Sequence, residues 1–338
     1  MNVVNLLNTI RSNATAEYQS RIPEATKSNL GSIGDRICSY TPATNEFCEN
    51  LINKIGLTVV NNRQLHNPLA ILKKGGIPFG LDVEEIFTNV AKDQGFDGDG
   101  TTLLNKVVSE TATKYHRLNR QSQYVVSIST EQLIRAFKSE LAFNQFLDSI
   151  INSLYSGDYY DEFIYTKELI SKAVTDGKIL TVHVDEVTDD ATTSAALLKQ
   201  IKLAHKNFTI PSINYCSYNK INPEKKFVTF TPTDRQILIM RTDVSTSLDV
   251  DVLAGVFNLD KVSLQSMILE IDAFPDNPDL MAVLCDESFF QIYDNLVSTE
   301  SFRNPKGLYT NYFYNHHQTL SLSPFANAIA FTSAAVSV

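Results

Sequence analysis

The most regular hydrophobic patterning in the chain begins at Ser129. Ser129 and Gln132 stand in a capping-box relation, and Leu133, Phe137, Leu141, Phe143, Leu147, Ile150, Ile151 and Leu154 follow at helical spacing. The spacing predicts one helix of about 25 residues, close to 40 Å long at roughly 1.5 Å per residue, with Gly157 as its stop. A second helix is expected from Asp158 to Val174, ending at Gly177. Upstream, Phe47, Leu51, Ile52 and Ile55 share one side of a helix over 46–60. The first 45 residues are rich in Asn, Ser, Thr and Glu around a short apolar run from Val3 to Ile10. They read as an arm ordered only by a partner.

Past Gly177 the period changes. Leu180, Val182 and Val184 alternate with Thr181, His183 and Asp185, the pattern of a half-buried strand. A helix is expected from Asp189 to Lys206, stopped before Pro211. Strands are expected at 212–218 and 227–230, and Ile237-Leu238-Ile239-Met240 suits a strand buried on both faces. A short helix over 250–257, short strands at 283–285 and 289–292, and strands returning through the alternating tail at 309–331 complete the reading. Earlier in the chain, extended stretches at 81–90 and 114–128 flank Gly95-Phe96-Asp97-Gly98-Asp99-Gly100. Little here could build an independent core, so a long hairpin packed on something else is expected. A turn-rich segment from Lys73 to Gly80 precedes it.

Composition narrows the function classes. With 338 residues, 43% of them apolar, the chain can bury real cores, and no stretch approaches the roughly 18–20 apolar residues of a membrane helix. The start carries no basic segment and no small-residue cleavage site, so a signal peptide is not expected. Four scattered cysteines without a C-x-x-C pair fit reduced thiols. A formal charge of −9 disfavours a protein that grips nucleic acid through phosphates, while leaving room for one that encloses it.

Candidate chemistry is thin. Asp97-Gly98-Asp99-Gly100 invites a calcium-loop reading, but the positions that would need acids hold Gly95 and Lys106, so a plain turn is expected. His183 and Asp185 share a strand face with Glu186, Asp189 and Asp190 nearby. No third ligand is nominated, and a strand end whose acids cap the next helix is the simpler reading. His316 and His317 face opposite ways on a strand and cannot form one metal site unaided. No G-x-S-x-G, P-loop or H-E-x-x-H sequence occurs. No catalytic residue and no cofactor is nominated.

Specific wording then adds to the order of elements. Thr231-Pro232-Thr233-Asp234-Arg235-Gln236 running into Ile237-Leu238-Ile239, the stretch 248–258, Tyr312-Phe313-Tyr314-Asn315-His316-His317-Gln318-Thr319, Leu322-Ser323-Pro324-Phe325-Ala326-Asn327-Ala328, and Thr113-Lys114-Tyr115-His116-Arg117-Leu118-Asn119-Arg120 occur in fixed sequence. Together, over about residues 80–331, they resemble the major capsid proteins of tailed bacteriophages with the Hong Kong 97-like fold.

The resemblance implies an α+β capsid fold. Its parts would be an N-terminal arm and short helix (1–65), an extended hairpin or E-loop (66–129), a peripheral domain with a long spine helix and C-terminal strands (130–178 and 288–338), and an axial α/β domain (179–287). It implies a non-enzymatic shell subunit that assembles into hexamers and pentamers, forming an icosahedral head around dsDNA without sequence-specific binding or membrane contact. Scaffolding, portal and decoration proteins are the further partners it suggests, with assembly in the host bacterial cytoplasm. On that pattern Val83, Ile86, Phe87, Val90, Lys114, Arg117 and Arg120 are candidate inter-subunit contacts, and Gly75 and Gly76 candidate hinge residues. An encapsulin-type nanocompartment shell protein shares the expected fold. A cytosolic α/β enzyme with an unrecognised site is the reading from another class.

Overall fold

Apolar stripes at helical spacing open the chain. Val3, Leu6, Leu7 and Ile10 line one side of α1 (Val3–Asn13), and Leu30, Ile33 and Ile37 line one side of α3 (Leu30–Ser39). Between them α2 (Ala16–Arg21) starts on a Thr15 cap, whose hydroxyl accepts from the Tyr18 amide at 3.3 Å. In this computed structural model the described residues are 3–59, 67–102, 104–137, 152–188, 191–248 and 268–334, with Phe143, Phe146 and Ile150. The stripes and α4 (Thr41–Val59) bury Ile33, Ile37, Phe47 and Leu51 against Leu133, Phe137, Phe143, Tyr312 and Tyr314 of the same chain. The reading of residues 1–45 as an arm ordered only by a partner is therefore corrected. Its apolar positions recur at i, i+3 and i+4, and they find their covering surface within the chain.

The hairpin forms as expected. β2 (Val83–Thr88) pairs antiparallel with β3 (Thr111–His116), from Val83 opposite His116 to Thr88 opposite Thr111. The single extended stretch expected over 114–128 is divided. β3 ends at His116, and β4 (Arg120–Ser129) pairs along β10 (Tyr309–Leu322) in a four-stranded sheet of order β1-β9-β10-β4. The other members are β1 (Lys73–Gly76) and the long β9 (Phe290–Asn304).

The long helix expected from Ser129 is also revised. Its capping box is present, with the Gln132 amide donating to Ser129 Oγ at 3.2 Å and the Ser129 amide to Gln132 Oε1 at 3.0 Å. However, α5 (Thr130–Ala136) ends where Phe137 turns. Most of 138–151 lies outside the described residues. A π-turn at Asn152–Ser156 then runs directly into α6 (Gly157–Thr175). Gly157 is no stop, because a terminating glycine must reach positive φ and Gly157 does not. Gly177, at φ 66°, does. The Gly177 amide bonds to the Val174 carbonyl at 3.0 Å and the Lys178 amide to the Ala173 carbonyl at 2.8 Å, which closes a Schellman motif.

A second sheet, of order β5-β11-β8-β6-β7, holds the most buried strand. All seven residues of β8 (Leu280–Asp286) are buried, between β6 (Gln236–Arg241) and β11 (Ala328–Thr332). β5 (Leu180–His183) and β7 (Ile268–Ile271) are the edges. On one face α7 (Ala191–Phe208) packs Leu197, Ile201 and Phe208 against Leu238, Met240 and Leu284. The opposite face meets Ile170 of α6 together with Leu69 and Leu72. The last strand, β11, lies between β5 and β8, so it joins the sheet formed by 179–287 instead of the 288–338 portion grouped with the peripheral helix. The strands expected at 212–218 and 227–230 shrink to isolated bridges, Ser212 with Thr229 and Cys216 with Asn327, beside α8 (Ser217–Ile221). There the Asn219 side chain stands in for strand pairing. Its amide donates to the carbonyls of Ile213 (2.8 Å) and Phe227 (2.7 Å), and its oxygen accepts from the Phe227 amide (2.7 Å). The helix expected over 250–257 lies outside the described residues. A last short helix, α9 (Thr242–Ser247), follows β6.

Candidate functional site

Strand alternation divides the hairpin's apolar residues. Val83 and Phe87 fall on one face of β2 and are half-buried, whereas Ile86 falls on the other and is 61% exposed. The Phe87 ring stacks on Phe227 (5.2 Å between centroids) and on Phe325 (5.6 Å), so that residue packs within its own chain. Ile86 and Val90 remain free for a neighbour. The long connection adds Phe96, Leu104, Val107 and Val108, all strongly exposed, and Phe79 and Leu81 extend the same character toward the hairpin's root. An exposed apolar series of this length marks a surface that another molecule covers.

The connection is nonetheless held at its ends. Asn89 donates to Glu110 (3.0 Å) and to the Lys226 carbonyl (3.1 Å), and its oxygen accepts from the Val228 amide (3.2 Å). Asp97 makes the turn expected of it. Its carboxylate accepts from the Thr102 amide (2.6 Å) and from the hydroxyls of Thr102 (2.8 Å) and Thr101 (2.9 Å), and these bonds hold its pKa down to about 2. Those oxygens are committed to the chain itself.

The basic candidates part company. Lys114 is half-buried, and burial and then Lys178 lower its pKa. Arg117 is exposed and pairs with Asp82 at 3.2 Å. Arg120 is 5% exposed and binds Asp158 at 2.6 Å, so an inter-subunit contact does not fit it; its guanidinium is consumed inside the chain. Gly75 and Gly76 are likewise not a free hinge. Both lie in β1, parallel to β9, with a bulge that puts Gly75 at φ 120°. The Ile77 amide extends that pairing to the Asp294 carbonyl at 2.9 Å. The first unpaired turn is at Pro78 to Leu81, where Gly80 has φ 87°.

Sequence reasoning missed what surrounds Arg120. Arg120 also donates to the side chains of Gln318 and Tyr124 (2.9 Å). Asp158, on α6, accepts from His316 Nδ1 at 2.7 Å, and His316 Nε2 lies 3.0 Å from Asp294. Lys73 Nζ sits 2.9 Å from both Asp294 and Glu162, and Gln318 Nε2 donates to the same two carboxylates at 2.7 Å. Asp158, Glu162, His316 and Gln318 are buried. The available signal was β10's alternation, which sends Tyr312, Tyr314, His316 and Gln318 inward together. Glu162, Asp294 and His316 bring donor atoms within 4.8 Å of one another. Lys73 and Gln318 already stand among those oxygens, so the arrangement is an ion-pair network and not a metal centre.

Burial favours neutral forms here, and the partners override it. Desolvation raises the Asp294 carboxyl, but His316, Lys73 and Gln318 carry it below the usual carboxylate range. For His316, burial lowers the imidazolium and the two aspartates raise it further than burial lowers it. At the other pair singled out from sequence, His183 Nε2 lies 3.8 Å from Asp185 with both side chains largely exposed. Glu186 turns instead to Arg241 at 2.6 Å. Asp189 and Asp190 lie outside the described residues.

Comparison with known proteins points one way. The sequence profile described as Phi29-like phage major capsid protein matches residues 7–332. The chain is 36% identical over 335 residues to the major capsid protein of Bacillus phage B103, covering 97% of this chain and 72% of that one. It is 34% identical over 330 residues to that of Bacillus phage PZA, with the same coverage. Among solved structures, the capsid of Staphylococcus phage Andhra superposes with a TM-score of 0.65 at 13% identity, covering 81% of this chain and 86% of that one.

Proposed function

We propose, from the premise that this chain belongs to the Phi29-like phage major capsid protein family, that its hairpin is the surface through which one copy grips the next. As a member of that family it is a structural protein of the virion, a subunit of the capsid shell, with the Hong Kong 97-like α+β fold. The finer reading is that copies form hexamers and pentamers around the second sheet, residues 179–287 with β11. The two sheets and their helices form the body, and the hairpin of β2 and β3 crosses to a neighbour. A formal charge of −9 suits a shell that encloses dsDNA without binding it through phosphates. Scaffolding, portal and decoration proteins would be its further partners, assembly would take place in the host bacterial cytoplasm, and the chain would carry no catalysis of its own.

The observation that supports this reading is the outward apolar row. Ile86 on β2 and Val90 just beyond it are 61% and 60% exposed, and in the connection to β3 Phe96 is fully exposed and Leu104 94% exposed, in a hairpin with little core of its own. Obligate interfaces bury about 2,000–5,000 Å² and are more hydrophobic than transient ones. The test is an Ile86→Asp, Val90→Asp variant. It should fold with wild-type circular dichroism and melting temperature, and form no particles under conditions where the wild-type chain forms shells. Particle yield equal to wild type would refute the role assigned to the hairpin.

A further inference from the structure

We propose that His316 is a proton-operated latch that fastens both roots of the hairpin, and that loss of its proton releases them. The hairpin enters from β1 through Lys73 and leaves into β4 through Arg120. Lys73 is bound to Asp294 and Glu162, and Arg120 to Asp158. His316, 3% exposed on β10, bridges the two anchors, with Nδ1 on Asp158 at 2.7 Å and Nε2 on Asp294 at 3.0 Å.

A neutral imidazole has one N–H and one lone pair. In this geometry it would satisfy one aspartate and aim its lone pair at the other at hydrogen-bond distance. The imidazolium satisfies both. The surrounding charges agree. Asp158 and Glu162 face the ring's surroundings from α6 and Asp294 from β9, against Lys73 from β1 and Arg120 from β4. From β10 the Tyr314 hydroxyl donates to Asp158 at 3.3 Å, and from β4 the Tyr124 hydroxyl donates to Asp161 at 2.7 Å. With His316 protonated, the three carboxylates nearest the ring meet three cations. Without the proton one buried negative charge is unmatched, a costly arrangement away from water.

The direction of the titration fits. The folded-state pKa lies above the ordinary 6.5, so the stabilisation is fully present below that value and is lost as pH rises through the folded value. Because the latch lies within one chain, its test does not depend on assembly.

The experiment is hydrogen exchange by mass spectrometry on the full-length chain from about pH 5.5 to about pH 9, a window that brackets histidine titration. Rates are normalised to the unfolded chain at each pH. Protection over Lys73–Gly76 and Arg120–Ser129 should fall roughly tenfold for each unit by which the folded pKa exceeds the unfolded one. Protection over Leu280–Asp286 should hold. Asp294→Asn removes the second carboxylate and with it one of the two partners of Lys73, so root protection should be lower but, since a neutral imidazole then suffices, should no longer change with pH. His316→Gln should be weakly protected at every pH. Root protection in the wild type that does not change with pH, or an Asp294→Asn profile that tracks the wild type, would overturn the latch. If His316→Gln does not fold, the first two measurements still decide.

Discussion

Replacing Arg120 by methionine keeps the aliphatic stem and removes the best-connected cation of the buried network. The guanidinium binds Asp158 at 2.6 Å and donates to Gln318, to Tyr124 at 2.9 Å and to Ser122 at 3.1 Å, from a position 5% exposed. Removing one partner of a buried pair leaves the other uncompensated, and such losses run at roughly 3–5 kcal/mol. His316 stays on Asp158, so the lower end, about 3 kcal/mol, is expected. Arg117, three residues away in sequence, gives the internal control. Its pair with Asp82 is exposed, and pairs of that kind contribute about 0–1 kcal/mol. The assay is urea unfolding of the unassembled full chain, followed by tyrosine fluorescence and circular dichroism. The midpoint should shift at unchanged slope. Adding Asp158→Asn to Arg120→Met should recover part of the loss, with a coupling above about 1 kcal/mol. An Arg120→Met variant within about 1 kcal/mol of wild type, or an Arg117→Ala variant equally destabilised, would refute the inward placement of Arg120 and the network built on it.

Two glycine substitutions probe packing and backbone separately. At Gly34, on α3, an added Cβ would lie 2.3 Å from Phe137 Cβ and 2.5 Å from its Cγ, atoms too close to the backbone to swing aside. Gly34→Ala should therefore cost about 1–3 kcal/mol by overpacking, read as a lowered melting temperature, and an unchanged melt would contradict the packing of the N-terminal helices on α5. Gly75 has open space around it but sits at φ +120°, so Gly75→Ala should cost about 1–3 kcal/mol from backbone strain alone. Gly76→Ala, whose nearest contact is the Asp294 carbonyl at 3.5 Å, should stay within about 0.5 kcal/mol of wild type. Equal effects at the two positions would contradict the β1 bulge.

The legible parts of the fold were those where one period dominates. Ile237 to Met240, the alternation after Gly177, the helix before Pro211 and the capping box at Ser129 all stand as elements because local pattern and tertiary burial agree there. The misread parts were those where pattern was present but its partner lay far off in sequence. Val3, Leu6, Leu7 and Ile10 form a proper stripe, yet the buried cluster they join also takes in Phe137, Phe143 and Tyr312, more than a hundred residues away. Gly157 and Gly177 look alike in sequence, and only the backbone angle tells a stop from a passage. At the hairpin, Val83, Ile86, Phe87 and Val90 were grouped together as contacts, although alternation sets Ile86 on the opposite face from Val83 and Phe87. That Phe87 would find Phe227 and Phe325 was not readable locally. The same holds for the ionic network. It draws Lys73, Arg120, Asp158, Glu162, Asp294 and His316 from five separate elements, and no local spacing announces such a meeting. The resemblance to head proteins rested on the order of elements, which is why it survived errors in individual ones.

The central claim is that the hairpin's exposed apolar row is completed by another copy of the chain in a capsid shell. Its most direct test is an electron cryo-microscopy reconstruction of particles assembled from the full chain. Closed shells in which Ile86, Val90 and the 96–108 segment are covered by the adjacent subunit are expected. A 37.8-kDa chain that stays monomeric when concentrated with a scaffolding partner, or shells whose hairpins stand clear of their neighbours, would contradict it.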